Sequence, residues 1–278
     1  MRLMKTRLLL AVSLCAAAAL PAAAATTRLT FHGHSAFELE TPKGKVLFID
    51  PWLNNPLNPA AAKGADAAAA VKRADYILLT HGHFDHVGDS VALAKRTKAR
   101  LVANFELGTS MARLMGYPAD QMSFDTLGNT GGELSLADGE VTVQFTPAVH
   151  SSGLDAGPDK PLGYGGNPNG FLIKIKDGPT IYHSGDTAFF KDMELLAAAD
   201  VDVALLNIGG HFGMEPEAAA TAARAINPRL VIPHHYKTFP VLTQDPKAFF
   251  ADLDGDKIAH VEMKPGETLV FEGRELKK

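Results

Sequence analysis

The segment 76–86 constrains this chain more than any other. Tyr76-Ile77-Leu78-Leu79-Thr80 is a short, continuous apolar run, the pattern of a strand buried on both faces. It leads directly into His81-Gly82-His83-Phe84-Asp85-His86, three imidazoles and a carboxylate within six residues. So many polar groups at the end of a buried strand are costly unless something binds them. Imidazole nitrogen and carboxylate oxygen are the donors suited to Zn²⁺ and similar borderline ions. Gly82 is expected to let the backbone turn sharply so that alternate side chains converge, and Asp85-His86 to open the next helix. A solvated His-rich loop or a processing tag is the plain alternative. It is disfavoured because three later strand ends carry further ligand types.

Those ends emerge from a pass along the chain. Strand patterns cover 29–31, 36–40, 45–50, 76–80 and 99–103. Segment 132–149 alternates like antiparallel strands turning at Asp138-Gly139, and His150 ends it. A hairpin over 171–175 and 180–182 ends in His183-Ser184-Gly185-Asp186-Thr187, and strand 230–232 ends in His234-His235-Tyr236. Strands are also expected at 201–208, 258–263 and 268–271, and helices at 60–74, 87–96, 106–115, 188–199, 216–226 and 245–253, with Pro216 well placed at a helix start. The Pro- and Asn-rich stretch 51–59 and the Gly- and Pro-rich stretch 151–169 read as loops, the second long enough to suggest function. Strands followed by βα units recur in both halves, which implies two sheets with helices on their outer faces.

Composition sets the context. Hydrophobic residues make up 46% of the 278 and charged residues 21%, enough apolar material for a globular core. Residues 1–25 read as a secretory signal peptide: a basic start at Arg2, Lys5 and Arg7, an apolar run too short to span a bilayer, then Pro21 and Ala23-Ala24-Ala25. An uncleaved anchor helix and a lipoprotein signal at Cys15 are the alternatives; no charged stop-transfer flank follows, and Leu14 is the wrong type before a lipoprotein cysteine. The mature domain is then 26–278, secreted and periplasmic, with no membrane span left after cleavage. The segment carries three cations, no acid and the only cysteine, so its removal takes the net charge from −4 to −7 and leaves neither disulfide nor thiolate ligand. An acidic chain without basic clusters is a poor candidate for nucleic acid.

The pattern His-x-His-x-Asp-His after a buried strand, followed in order by His150, Asp186 and His235, resembles the signature of the metallo-β-lactamase superfamily over essentially residues 27–272. Gly33-His34-Ser35, Asp50-Pro51-Trp52, Gly209-Gly210-His211 and Pro233-His234-His235-Tyr236 look closest to a subgroup of small metal-dependent hydrolases related to the ascorbate-6-phosphate lactonases. The resemblance implies an α/β fold, a four-layer αββα sandwich. It implies two divalent metal ions: His81, His83 and His150 on the first, Asp85, His86 and His235 on the second, Asp186 bridging. Zn²⁺ is expected, and the donor set also suits Mn²⁺, Fe²⁺ or Co²⁺. His235 is preferred to His234 because the family's match is to His-Tyr. A metal-bound hydroxide would attack a carbonyl or phosphoryl centre, with Asp85 orienting it or passing its proton on.

Other residues admit two readings each. His34 and His211 either lie near the substrate or are satisfied structural histidines. Tyr236 supplies an oxyanion donor or is a packed tyrosine with a buried partner. His183 and Asp50 are candidates to support the metal-bound side chains, and Trp52 to line the pocket. His211 and Tyr236 join Asp85 as the expected catalytic residues. The implied activity is hydrolysis of a small ester, lactone or phosphoester. A β-lactamase is the alternative within the superfamily, and a non-catalytic metal-binding protein the alternative of another class. A nucleic-acid hydrolase is disfavoured by acidity, and a di-iron redox enzyme by His83. The partner is a small-molecule substrate, and the sequence leaves the oligomeric state open.

Overall fold

The layers follow from the face to which each strand residue turns. A computed structural model describes residues 26–277, so the proposed signal peptide lies outside the described residues. The first half of the chain lays down β1 (Thr26–Gly33), β2 (Ala36–Glu40), β3 (Val46–Ile49), β4 (Tyr76–Leu79), β5 (Arg100–Asn104) and β6 (Leu127–Gly128). With β15 (Thr268–Glu272) and β16 (Glu275–Leu276) from the end of the chain, they form an eight-stranded sheet ordered β16-β15-β1-β2-β3-β4-β5-β6. A six-stranded sheet ordered β14-β13-β12-β11-β8-β7 comprises β7 (Glu133–Leu136), β8 (Val141–Pro147), β11 (Asn169–Ile175), β12 (Thr180–His183), β13 (Val203–Asn207) and β14 (Leu230–His234). Between them in sequence, β9 (Gly153–Leu154) and β10 (Gly163–Tyr164) pair as a small ladder inside the long loop.

Within β4, Tyr76 and Leu78 face one core and Ile77 and Leu79 another, the period-two division of a strand covered on both sides. Leu78, Leu47 and Ile49 meet Val203, Leu205 and Ile232 of the second sheet in the central core. Ile77, Leu79 and Phe48 pack outward against α3 (Ser90–Thr97) and α4 (Phe105–Met115). On the far side, Ala204 and Leu206 pack against α5 (Pro216–Ile226) and α6 (Lys247–Asp256). Helix, sheet, sheet, helix: the molecule is the four-layer αββα sandwich. The strands β3, β4 and β5 run parallel, as do β12, β13 and β14, so their C-terminal ends share one rim. Among the described residues no helix is long and apolar enough to cross a membrane.

Four expectations need correction. The helix expected over 60–74 is a 3₁₀ turn (Ala61–Lys63) and a single turn, α1 (Ala67–Ala70). Gly64 ends the first at φ 78°, Asp66 caps the second, and alanine propensity alone does not sustain a helix that buries only Ala67 and Ala68. The helix expected over 87–96 starts earlier, as α2 (Phe84–Val87), and breaks at Gly88 before α3. Residues 188–199 hold a 3₁₀ helix (Lys191–Ala199) in place of an α-helix. Residues 258–263 make only an isolated bridge to β14 at Val231. The next residue of β14 facing that edge is Pro233, which has no N–H to continue the ladder.

Candidate metal centre

Every element of the centre leaves the C-terminal end of a strand on the common rim. Asp50 follows β3, His81 to His86 follow β4, Asp186 follows β12, and His235 follows β14. His150 arrives three residues beyond β8. His83 precedes the first turn of α2, which projects Asp85 and His86 inward and Phe84 outward. Gly82 serves differently from expectation. Its φ is not positive; a Cβ there would sit 3.1 Å from the Gly153 carbonyl oxygen, so glycine eases the close approach of the long loop.

Two nests of donor atoms result. In the first, His81 Nε2 lies 2.9 Å from His83 Nδ1, which lies 3.3 Å from His150 Nε2. In the second, His86 Nε2 and His235 Nε2 lie 3.4 and 3.0 Å from Asp186 Oδ2, and His235 Nε2 lies 3.6 Å from Asp85 Oδ2. The same Asp186 Oδ2 is 3.7 Å from His150 Nε2, placing one carboxylate between the nests. His86 Nε2, both ring nitrogens of His235 and Asp186 Oδ1 are buried without a hydrogen-bond partner among the described residues. Unpaired buried donors and acceptors are expensive, and ligation by divalent cations satisfies those that converge. The seven side chains fit a metal centre: His81, His83 and His150; His81, His86 and Asp186; and Asp85, His86 and His235 with His34 each form a group that could hold a metal ion.

Electrostatics agrees. Burial, reinforced by repulsion from His86, holds His81 well below the usual imidazole range, and burial also lowers His83 and His150. These rings are neutral at pH 7 and present lone pairs. Burial would raise Asp186, but His235 and His86 overcome it and hold the carboxyl far down. Asp85 is likewise kept ionised against burial by the nearby His235 and by the hydrogen bond from His34. Burial depresses His86 and His235, but Asp186 outweighs it, aided by Asp50 at His86; His86 is raised well above its ordinary value and His235 to about 9. A dication in the second nest would take the place of these protons.

Behind the donors stands a supporting layer. Asp50, fully buried, accepts from Thr80 N (2.8 Å), Thr80 Oγ1 (2.6 Å) and His86 Nδ1 (2.7 Å). Because a carboxylate only accepts, His86 Nδ1 donates to Asp50 and Nε2 is turned to the centre, where a bound ion would replace its proton. Thr80 Oγ1, having donated to Asp50, accepts from His81 Nδ1 at 3.0 Å and orients that ring in the same way. His34 is fully buried, 3.0 Å from Asp85 Oδ2 through Nε2 and 2.7 Å from Thr238 Oγ1 through Nδ1. Burial lowers it to about 4, so it is neutral, donating to Asp85 and accepting from Thr238. Thr238 was not anticipated, and no motif marks it. Glycine at 209 is explained by His235, whose carbonyl oxygen would lie 2.2 Å from a Cβ there.

The remaining sequence-predicted residues separate cleanly. His234 points away from the donors, bonded to Ser35 Oγ (3.1 Å) and Ser184 Oγ (3.2 Å) and stacked on His183. His183 itself reaches the Ser35 carbonyl, so these two histidines tie the sheets together. His211 is exposed on a turn, with its ring against Phe212, and the structure does not bring it to the cluster. Tyr236 does not reach it either: its hydroxyl donates to Glu262 Oε1 at 3.0 Å, and burial with that carboxylate raises its pKa strongly. The structure therefore does not bring the expected catalytic residues His211 and Tyr236 to the donors: His211 lies on an exposed turn and Tyr236 is buried in the outer core beside Glu262. Trp52 lies behind the cleft wall, stacked on Phe239.

This fold, with histidines and aspartates gathered at the strand ends, defines a metal-dependent hydrolase of metallo-β-lactamase architecture. A family model described as a Beta-lactamase superfamily domain matches residues 45–236. A UPF0173 metal-dependent hydrolase of Thermodesulfovibrio yellowstonii is 47% identical over 251 residues, covering 88% of this chain and 92% of that protein. Another from Pyrobaculum calidifontis is 44% identical over 245 residues, covering 87% and 99%. The solved structure of Igni18, a metallo hydrolase from Ignicoccus hospitalis, superposes with a TM-score of 0.74 at 36% identity, covering 89% of this chain and 99% of that one. The chain belongs to the beta-lactamase superfamily, among the UPF0173 metal-dependent hydrolases.

Proposed function

We propose that the chain hydrolyses a small ester, lactone or phosphoester at a dinuclear centre. His81, His83 and His150 would hold one ion, Asp85, His86 and His235 the other, and Asp186 both. The observation that carries this reading is the position of Asp186 Oδ2, within 3.0–3.7 Å of nitrogens from both nests. Five imidazoles and two carboxylates favour Zn²⁺, with Mn²⁺ or Fe²⁺ as the alternatives. When bound, such a pair ionises a shared water near neutral pH and polarises the scissile group.

The chain's own residues supply the rest. The first-nest histidines, neutral through burial, and Asp186, ionised by its neighbours, are in the protonation states ligation needs. Asp85 faces the cleft with its carboxylate ionised and steadied by His34, placed to take a proton from the attacking water and return it to the leaving oxygen. The balance is simple: the water oxygen bonds to the acyl or phosphoryl atom, the bond to the leaving oxygen breaks, one water proton ends on that oxygen and the other goes to solvent. With the leader read as a signal peptide, the reaction takes place outside the cytoplasm.

The test joins metal analysis to turnover. Purified protein should carry close to two ions per chain and turn over members of a panel of lactones, esters and phosphodiesters in a chelator-sensitive way. His81→Ala and Asp186→Ala should each abolish turnover while the fold persists. Full activity in either variant, or no metal taken up when zinc is offered, would sink the proposal.

A further inference from the structure

The cleft above the centre has a volume of about 690 Å³, and its walls are unlike its floor. The floor is His83, Asp85, His150, Asp186 and His235. The walls are Phe84, Leu162, Phe212, Phe239 and Val241. Several of these are unusually exposed for large apolar side chains: Leu162 at 71%, Phe84 at 57%, Phe212 at 55% and Val241 at 50%. They come from four separate segments, α2, the long loop and the loops after β13 and β14, so the apolar surface is gathered at this mouth from across the chain. It is also rigidly backed. Trp52 stacks on Phe239 at 5.8 Å and meets Phe84 edge-on at 5.7 Å.

Charge distribution completes the argument. Among the described residues, no lysine or arginine lines the cleft, and the one charged wall residue is Asp155. A remote phosphate or carboxylate on a substrate is ordinarily gripped by a guanidinium, an ammonium or a row of backbone N–H groups. Here, beyond Ser151 and Gly153 beside the floor, it would meet apolar side chains and an aspartate, with no cation. An alkyl or aryl body would instead cover exposed apolar surface that otherwise faces water.

We propose that this cleft selects uncharged esters or lactones carrying an alkyl or aryl group beside the scissile carbonyl, and discriminates against substrates bearing a second anionic group. The inference rests on the hydrolase reading above and narrows its substrate class. Phe84, Phe212, Phe239, Leu162 and Val241 are the residues that set specificity.

The experiment uses zinc-loaded full-length protein and p-nitrophenyl esters from acetate to octanoate. Each methylene that becomes buried should raise kcat/KM by about two- to fourfold, through KM more than kcat, until the wall is covered. In parallel, equilibrium binding of hydrolysis-resistant aliphatic amides, acetamide to octanamide, should tighten with chain length in the same way. Phe212→Ala and Phe239→Ala should flatten both slopes, with metal content measured on the same preparations to report an intact centre. An unphosphorylated aldonolactone bearing an alkyl ether should be preferred to its 6-phosphate. A flat chain-length dependence in turnover and amide binding, or preference for the phosphorylated lactone, overturns the proposal and leaves the hydrolase reading standing. Chain-length-dependent amide binding without metal-dependent turnover of any ester has the opposite meaning: the apolar cleft stands and the hydrolase reading falls.

Discussion

Asp50 should govern both ions of the proposed pair without touching either. Its Oδ2 accepts from His86 Nδ1 at 2.7 Å and Thr80 Oγ1 at 2.6 Å, while Oδ1 accepts from Thr80 N at 2.8 Å. Asp50→Asn keeps the shape and removes one acceptor. If the new amide nitrogen replaces Oδ2, it confronts the His86 N–H, which must move its proton to Nε2 and so block its own lone pair. If it replaces Oδ1, it confronts the Thr80 N–H in a fully buried site. Either way one charge-assisted bond becomes a clash, at about 1.5–3 kcal/mol of folding stability, and metal affinity should fall on the order of 10–100-fold. Thr80→Val separates the nests: it strips only the acceptor for His81 Nδ1 and the donor to Asp50, so the first ion should weaken more than the second. The assay is competitive zinc titration of the metal-free variants, with urea unfolding alongside. Two ions bound to Asp50→Asn with wild-type affinity would refute the reasoning.

Three further outcomes are expected. His34 is lowered to about 4 from an unfolded value of 6.5, so the unfolded chain takes up a proton that the native state refuses. Metal-free protein should therefore lose about 2 kcal/mol from this residue between pH 7 and pH 5, approaching about 3 kcal/mol below pH 4; urea midpoints of His34→Gln should show a correspondingly shallower decline with acid. His235→Ala should lower uptake of the second ion, whereas His234→Ala should leave metal content near normal and cost about 2–4 kcal/mol through a cavity and an unpaired Ser35 hydroxyl, Ser184 keeping its bonds to Gly185 and Asn207; the reverse order in metal titrations would make His234 the ligand. Because Asp186 keeps His86 and His235 protonated in the metal-free centre, with His235 at about 9, zinc binding at pH 7.5 should release close to two protons, read from calorimetry in buffers of different ionisation enthalpy.

Much of the sandwich was legible because burial on both faces leaves an unbroken apolar run, as in Tyr76 to Leu79, and because the histidine motif must sit where such a run ends. The positions of His150, Asp186 and His235 followed from the resemblance, and the structure brings their side chains to the same cluster. What failed has a common cause. Alanine-rich 60–74 carries propensity but too little burial to make a helix, and 258–263 has strand-like residues but meets a partner strand interrupted at Pro233. His211 and Tyr236 share motifs with residues at the rim, yet sequence neighbourhood says nothing about side-chain direction after a left-handed residue. His211 itself has φ 38°, and Tyr236 follows His235 at φ 58°. Thr238 was invisible for the converse reason: its importance comes wholly from a contact 204 residues away in sequence.

Those left-handed residues also explain how the centre is ordered. His34, Asp50 and His235 have φ of 55°, 46° and 58°, a conformation that costs a side-chain-bearing residue about 1–2 kcal/mol. Glycine would relieve the strain at each position but would delete an imidazole or a carboxylate. Each residue must turn the chain sharply at a strand end and still deliver its side chain inward, and the left-handed region satisfies both demands. Regular structure holds the strain. Asp50 N donates to Leu78 O at 2.9 Å, extending the β3–β4 pairing by one bond, and His235 N donates to His34 O at 2.8 Å, joining a turn of the first sheet to a turn of the second. That last bond spans the sandwich directly beneath the donors, where the His34 and His235 rings also touch, tilted at 46° with centroids 4.1 Å apart. The two sheets therefore fix the separation of Asp85 and His235 through backbone, ring contact and the His34 hydrogen bond before any ion arrives. Metal-binding energy is then not consumed in ordering a loop, which is the condition for a centre stiff enough to discriminate by geometry.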